Sequence, residues 1–231
     1  MSYAALATDY DGTIAWEGQV DAPTREALRR ARLAGLRLVV VTGRRLADLL
    51  DAFPHLALFD RVVAENGAVL YDPSSRSVRV LAGPPPPKLI KVLTDARIPL
   101  SVGRVIVATV EPYQDAVLDA IRDLGIEWHV IFNKDSVMAL PSGITKGTGL
   151  AQVLSDLGVP LERTIGVGDA ENDQPFLRMC GLAVAVANAL PAVKEAAAVV
   201  TAGAQGAGVV ELIDRLLTGR PGDIRVSSPR R

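Results

Sequence analysis

The chain has 231 residues, 49% of them hydrophobic and 22% charged, with a formal net charge of −1. That length buries a sizeable core, as one large domain or as a core with a small second domain. The near-neutral balance supplies no field that would draw nucleic acid or an anionic membrane, and a single cysteine, Cys180, excludes an internal disulfide and a cysteine metal cluster.

Strand-like and helix-like segments alternate from the start. Residues 3–8 are an apolar run that reads as a buried strand. Thr8-Asp9-Tyr10-Asp11-Gly12-Thr13 follows, with Gly12 able to turn the chain sharply. Residues 13–20, with Trp16 and Glu17, read as a flap over that strand end. A helix is predicted from 22 to about 34, with Pro23 near its first turn and Gly35 closing it. Residues 36–41 are a dense β-branched strand ending in Thr42-Gly43-Arg44, and 46–53 a helix. Residues 61–64 form a short strand, and 67–71 with 77–81 a hairpin around Asp72-Pro73-Ser74-Ser75.

Four prolines at 84–87 then break the rhythm as a stiff spacer. Beyond them a helix (88–96), two strands (98–102, 105–110), a helix (113–124) and two strands (127–132, 136–140) predict a small sheet with two helices on one face. Charges in this part are mixed, with no basic stripe for nucleic acid. From 142 the first rhythm returns: a helix from Lys146 to about 157, a strand at 164–167 ending in Gly168-Asp169-Ala170-Glu171-Asn172-Asp173, a helix at 174–179, a strand at 182–186, a helix at 191–196, a strand at 198–201 and a helix at 209–217. The tail 219–231 carries four arginines without apolar periodicity and reads as disordered. The expectation is a Rossmann-like, doubly wound α/β core of residues 1–83 and 142–218, with an inserted α/β cap at 84–141.

Residues i and i+2 of an extended segment point the same way, so Asp9 and Asp11 leave the first strand together. Two carboxylates that close repel unless a cation sits between them, and such an oxygen-rich site suits Mg²⁺ holding substrate phosphate. In a doubly wound sheet ligands bind at the carboxyl ends of strands. Asp9 with Asp11, Thr42 with Arg44, Lys146, and Asp169 with Asn172 and Asp173 all fall at such ends or just beyond. Singly, each is a helix cap or surface charge; together at one sheet edge they define a site. Cys180 and His55 are read as structural.

This set resembles the haloacid dehalogenase (HAD) superfamily of phosphatases. Asp9-Tyr10-Asp11-Gly12-Thr13 is similar to its first motif, Thr42 to the second, Lys146 to the third and Gly168-Asp169 with Asn172-Asp173 to the fourth. Asn66 in Ala64-Glu65-Asn66-Gly67-Ala68 and Gly143 with Lys146-Gly147 are similar to the Cof-type, or IIB, branch, which carries an α/β cap between the second and third motifs. The short cap matches archaeal phosphoglycolate phosphatase-like and sucrose-phosphatase-like members. Tyr10 departs from the aliphatic residue usual in its slot.

The resemblance implies Asp9 as nucleophile, Asp11 as general acid and base, and Thr42 and Lys146 as partners of the transferring phosphoryl group. It implies Mg²⁺ held by Asp9, the Asp11 carbonyl and Asp169, with Asp173 behind them. Gly43, Arg44, Asn66 and Asn172 are the further substrate-binding candidates. Asn66 has an equal claim to a hairpin-capping role. Thr13 is assigned to the turn, with a place in the metal shell as the lesser reading. Arg104, His129, Asn133 and Lys134 are the polar cap residues that could choose the substrate, a small phosphorylated metabolite such as a sugar phosphate or phosphoglycolate. A phosphomutase or other phosphotransferase on the same core, and a non-catalytic phosphate-binding module, remain open. So does monomer against homodimer. The N-terminus shows no basic-then-apolar leader and no run reaches a membrane span, so a cytoplasmic setting is expected.

Overall fold

A computed structural model describes residues 3–218 of the chain. The predicted disordered tail lies outside those residues. In chain order the elements are β1 (Ala5–Asp9), α1 (Ala22–Leu33), β2 (Arg37–Val41), α2 (Leu46–Ala52), β3 (Arg61–Ala64), β4 (Val69–Asp72), β5 (Ser77–Val80), α3 (Pro87–Asp95), β6 (Ser101–Val102), β7 (Val107–Val110), α4 (Gln114–Asp123), β8 (Trp128–Asn133), β9 (Ser136–Pro141), α5 (Lys146–Asp156), β10 (Thr164–Gly168), α6 (Gln174–Leu177), β11 (Leu182–Ala185), α7 (Pro191–Ala196), β12 (Val199–Val200) and α8 (Gln205–Leu217).

Eight strands form one sheet in the order β12-β11-β10-β1-β2-β3-β4-β5. It is parallel from β12 to β3, and the β4–β5 hairpin continues it antiparallel. β1 and β10 are buried along their whole length, as unbroken apolar strands covered on both faces should be. The helices present narrow apolar stripes to this sheet. In α1 the buried residues are Thr24, Ala27, Leu28 and Ala31, an i, i+3, i+4, i+7 pattern, and Asp21 caps it by accepting from the Thr24 amide at 2.8 Å.

The second sheet has four antiparallel strands in the order β6-β7-β9-β8. Period-two alternation divides β9 between two apolar clusters. Val137 and Ala139 pack with Leu89 and Leu93 of α3 and Val117 and Ile121 of α4. Met138 and Leu140 join the core of the large sheet from its other face. The small sheet is therefore a lid with one face under its own helices and the other over the carboxyl end of the large sheet.

Most boundaries shift by a residue or two, and the strand predicted at 98–102 shortens to Ser101–Val102; two of the shifts have a direct physical reason. Pro87 belongs to α3, at its first turn, where a missing amide costs nothing. Helix α8 begins at Gln205, four residues before the predicted start at 209. Gly206 and Gly208 lie in the added turn, where glycine disfavours helix in isolation, yet a Cβ at 206 would collide with Thr24 Oγ1 of α1. The glycine permits the close approach of these helices. No helix among the described residues is long and apolar enough to cross a membrane.

Candidate active site

β1 lies between β10 and β2, all three parallel, so the chain winds outward in opposite directions from this point. At such a reversal the connections diverge and leave a crevice beyond the strand ends. Asp9 ends β1, and Asp169 follows β10 directly. Lys146 opens α5, whose N-terminus is fixed by a capping box between Thr145 and Thr148.

These groups are buried: Asp9, Asp169, Asp173 and Lys146 are all at most 4% exposed. Lys146 Nζ donates to Asp9 Oδ1 and to Asp173 Oδ1, both at 2.6 Å. Asp173 Oδ2 accepts the amides of Asp169 and Ala170 at 2.8 and 3.0 Å. Thr13 Oγ1 donates to Asp169 Oδ1 at 3.0 Å, while Lys134 Nζ reaches Asp169 Oδ2 at 3.1 Å from the β8–β9 turn. Thr13 thus does more than serve its turn. It orients a carboxylate 156 residues away.

Carboxylate oxygens of Asp9, Asp169 and Asp173 lie within 4.8 Å of one another. Three buried acids against one buried lysine leave excess negative charge. Burial, then Asp173, hold the Asp9 carboxyl well above its usual range, against the pull of Lys146. Burial and Asp173 likewise raise Asp169. Burial opposes the Lys146 charge, but Asp173 and Asp9 overcome it and raise that pKa. A hard divalent cation among these oxygens would relieve the repulsion, so the donor set fits Mg²⁺. The Asp11 side chain lies outside this trio.

Asp11 stands at the rim instead. Arg44 grips it with a two-pronged ion pair, Nε to Oδ2 and Nη2 to Oδ1, each 2.7 Å. Arg44 also lies over the Tyr10 ring, 5.2 Å from its centroid. The arginine expected to meet substrate is therefore held by the acid beside it. Burial lifts the Tyr10 phenol to about 12, and its hydroxyl donates to Gly18 O, away from the carboxylates. Thr42 is buried; its Oγ1 accepts the Arg44 amide at 3.1 Å.

Asp9, Asp11, Thr42, Gly43, Arg44, Arg45 and Asp48 line a cavity of about 200 Å³ whose other wall is Ser101, Ile106, Ala108, Asn133, Ser136 and Met138 of the small sheet. Asn172 and Lys146, expected at the substrate, and Asn66, with its equal claim to a capping role, do not line it. Asn66 is fully buried, with Nδ2 2.9 Å from Met138 Sδ and Oδ1 accepting Asn172 Nδ2 at 3.0 Å. Its left-handed backbone (φ +51°) turns the side chain inward beneath the lid. Of the four polar cap residues, Asn133 lines the cavity and Lys134 reaches Asp169, whereas Arg104 is exposed and His129 lies outside the lining. The Asn133 Oδ1 is buried without a partner among the described residues.

Three contributors escaped the sequence reading. Asn188 Nδ2 donates to Gly12 O at 2.8 Å and pins the Asp11–Thr13 turn. Glu65 binds the lid, and Met138 packs on Asn66. Each sits between elements far apart in the chain, so no local pattern marks it. Burial raises the Cys180 thiol to about 12, which disfavours the thiolate a nucleophile needs. A larger cavity of about 430 Å³ lies at the opposite strand ends, where Arg37 pairs with Asp60.

The chain is similar to known proteins over most of its length. The model of the haloacid dehalogenase-like hydrolase family matches residues 6–102 and 101–213. A phosphoglycolate phosphatase of Methanothermobacter thermautotrophicus is 33% identical over 92% of this chain and 98% of its own. Phosphoglycolate phosphatase 2 of Saccharolobus solfataricus is 31% identical over 94% of each. The solved structure of a HAD subclass IIB sugar phosphatase superposes with a TM-score of 0.76 at 21% identity, covering 92% of this chain and 98% of that one. With a family match over nearly its whole length, the chain belongs to the haloacid dehalogenase-like hydrolases.

Proposed function

We propose that the protein is a Mg²⁺-dependent phosphatase of a small phosphorylated metabolite, working through an aspartyl-phosphate. The observation that carries this reading is the Asp9 carboxylate, buried at the sheet's reversal point, oriented by Lys146 and facing a cavity of about 200 Å³. Asp9 attacks phosphorus, the ester P–O bond breaks, and Asp11 gives a proton to the departing oxygen. Asp11 then takes a proton from the water that attacks the acyl phosphate, releasing inorganic phosphate and restoring Asp9. For this the Arg44 fork must release one Asp11 oxygen, which frees guanidinium donors for the substrate. Thr42 and Gly43 face the transferring group, and Lys146 offsets charge on the nucleophile. Asp9, the Asp11 carbonyl and Asp169 would hold Mg²⁺, with Asp173 behind. Bound there, the ion would neutralise phosphoryl oxygens.

Residues 84–141 act as the cap over a core of 1–83 and 142–218. The cavity is below the usual range of roughly 300–1,000 Å³ for drug-sized ligands, which favours a compact substrate. The names of the relatives point to phosphoglycolate. The lone, inert cysteine suits a cytoplasmic setting.

Phosphate release from a panel of phosphorylated metabolites, with Mg²⁺ or with EDTA, tests this. Release by the wild type with Mg²⁺ is expected, and none in chelator or from folded Asp9→Asn. Substantial turnover by Asp9→Asn would remove Asp9 as nucleophile. Transfer to a second hydroxyl in place of water would make the protein a phosphotransferase.

A further inference from the structure

Glu65 follows β3 directly and is 1% exposed, yet it makes no ion pair among the described residues. Its carboxylate faces the lid. Oε1 accepts the amide of Arg104 at 3.1 Å, and Oε2 accepts those of Val105 and Ile106 at 2.9 and 3.1 Å. Three successive amides of the β6–β7 turn thus converge on one acid of the large sheet, an arrangement that satisfies a buried carboxylate without a cation. The turn is shaped to admit it: a Cβ at Gly103 would lie 2.5 Å from Oε2.

The backbone at this point is equally committed. Glu65 and Asn66 both adopt φ +51°, a conformation that costs strain in residues other than glycine. The strain sends their amides back to the motif around Thr42: Glu65 N donates to Arg44 O at 2.9 Å and Asn66 N to Thr42 O at 3.0 Å. The Asn66 side chain meets Met138 of the lid and Asn172 of the fourth motif. Arg45, next in the same loop, donates Nη1 to Val102 O at 3.3 Å. One strained dipeptide therefore touches the loop at 42–44, the fourth motif, the β6–β7 turn and β9 of the lid.

We infer that Glu65 is the positioning residue that docks the lid, and that through its own backbone it couples docking to the 42–44 loop. The carboxylate sets where Ser101, Ile106 and Ala108 stand over Asp9 and Thr42. The inference rests on the phosphatase reading only for its activity arm.

Amide hydrogen exchange tests the docking without any substrate. Glu65→Gln keeps the shape but exchanges an acceptor for a donor; Gly103→Ala pushes on the same contact from the lid. Each variant is expected to speed exchange at residues 104–106 by about tenfold or more, since hydrogen bonds to a charged acceptor are among the stronger ones. The large sheet should stay protected. With p-nitrophenyl phosphate and phosphoglycolate as probes, KM for phosphoglycolate should rise about tenfold while kcat for the aryl phosphate changes less than about twofold. Unchanged exchange at 104–106 would overturn the inference. So would acceleration throughout the large sheet, or equal loss on both probes, since either makes Glu65 a support of the core alone. If the wild type released no phosphate from any probe, the phosphatase reading would fail and the exchange result would still decide the docking.

Discussion

The floor and the rim of the crevice use the same chemistry in opposite ways. On the floor, the Lys146, Asp9 and Asp173 side chains are 1%, 6% and 0% exposed and locked at 2.6 Å. At the rim, the Arg44 and Asp11 side chains are 29% and 38% exposed, and the Lys134 side chain is 53% exposed. Buried charges interact strongly but must be compensated, because water cannot replace a lost partner. Rim charges exchange partners with solvent at little cost. The floor thus suits the proposed nucleophile, which must hold still, and the rim the proposed acid and its arginine, which must move.

The sharpest way to break this contrast is Lys146→Met. It leaves two buried carboxylates without their cation. Unfolding free energy should fall by about 3–5 kcal/mol, and turnover by roughly 10²–10³-fold. Denaturant titration and phosphate release measure both. A loss under about 1 kcal/mol would make the floor no different from the rim.

Next is the pH response of the metal-free protein. Burial, then Asp173, raise the Asp9 and Asp169 carboxyls above the ordinary carboxylate range in the folded protein. The native state then binds more protons than the unfolded chain, so stability falls as pH rises from about 4 through the raised values. Lys146 stays charged across that window. Thermal melts in EDTA should show the decline. Mg²⁺ should flatten it, stabilising most near neutrality and little in acid, where the ligands are protonated. A melting point rising with pH in EDTA would contradict the buried-acid assignment.

A smaller effect is expected from Thr13→Val, which removes the hydroxyl on Asp169. The loss should be about 1 kcal/mol of stability, with weaker Mg²⁺ binding by calorimetry. Unaltered Mg²⁺ affinity would sever Thr13 from the proposed metal site. Smallest is Arg44→Ala, at the rim. Its exposed ion pair contributes less than about 1 kcal/mol, so the melting point should barely shift while KM rises. A large destabilisation would mean that the rim is built like the floor.

Much of this molecule is legible in its residues. The β-branched run read at 36–41 and found as β2, the capped helix α1 and the return of helix–strand alternation after residue 142 all follow from periodicity and turn chemistry within a few positions. Resemblance to family motifs pointed to Asp9, Lys146, Asp169 and Asp173, which the fold brings together. The start of α8 was hidden because a glycine that breaks a helix in isolation is required where another helix crosses it. The residues left Asn66 between a substrate contact and a hairpin cap, because its inward turn depends on a left-handed backbone and on Met138, 72 residues away.

Sequence alone therefore determined which elements form and which side chains can do phosphate chemistry, since both depend on near neighbours and on functional groups. Tertiary structure alone decided the partners: Lys146 with Asp9 across 137 positions, Thr13 with Asp169, Arg44 with Asp11 and Glu65 with the lid amides. Those pairings depend on β1 lying between β10 and β2 and on one face of β9 closing over the strand ends. Strand order is set by the packing of the whole core, so no stretch of the chain carries it by itself.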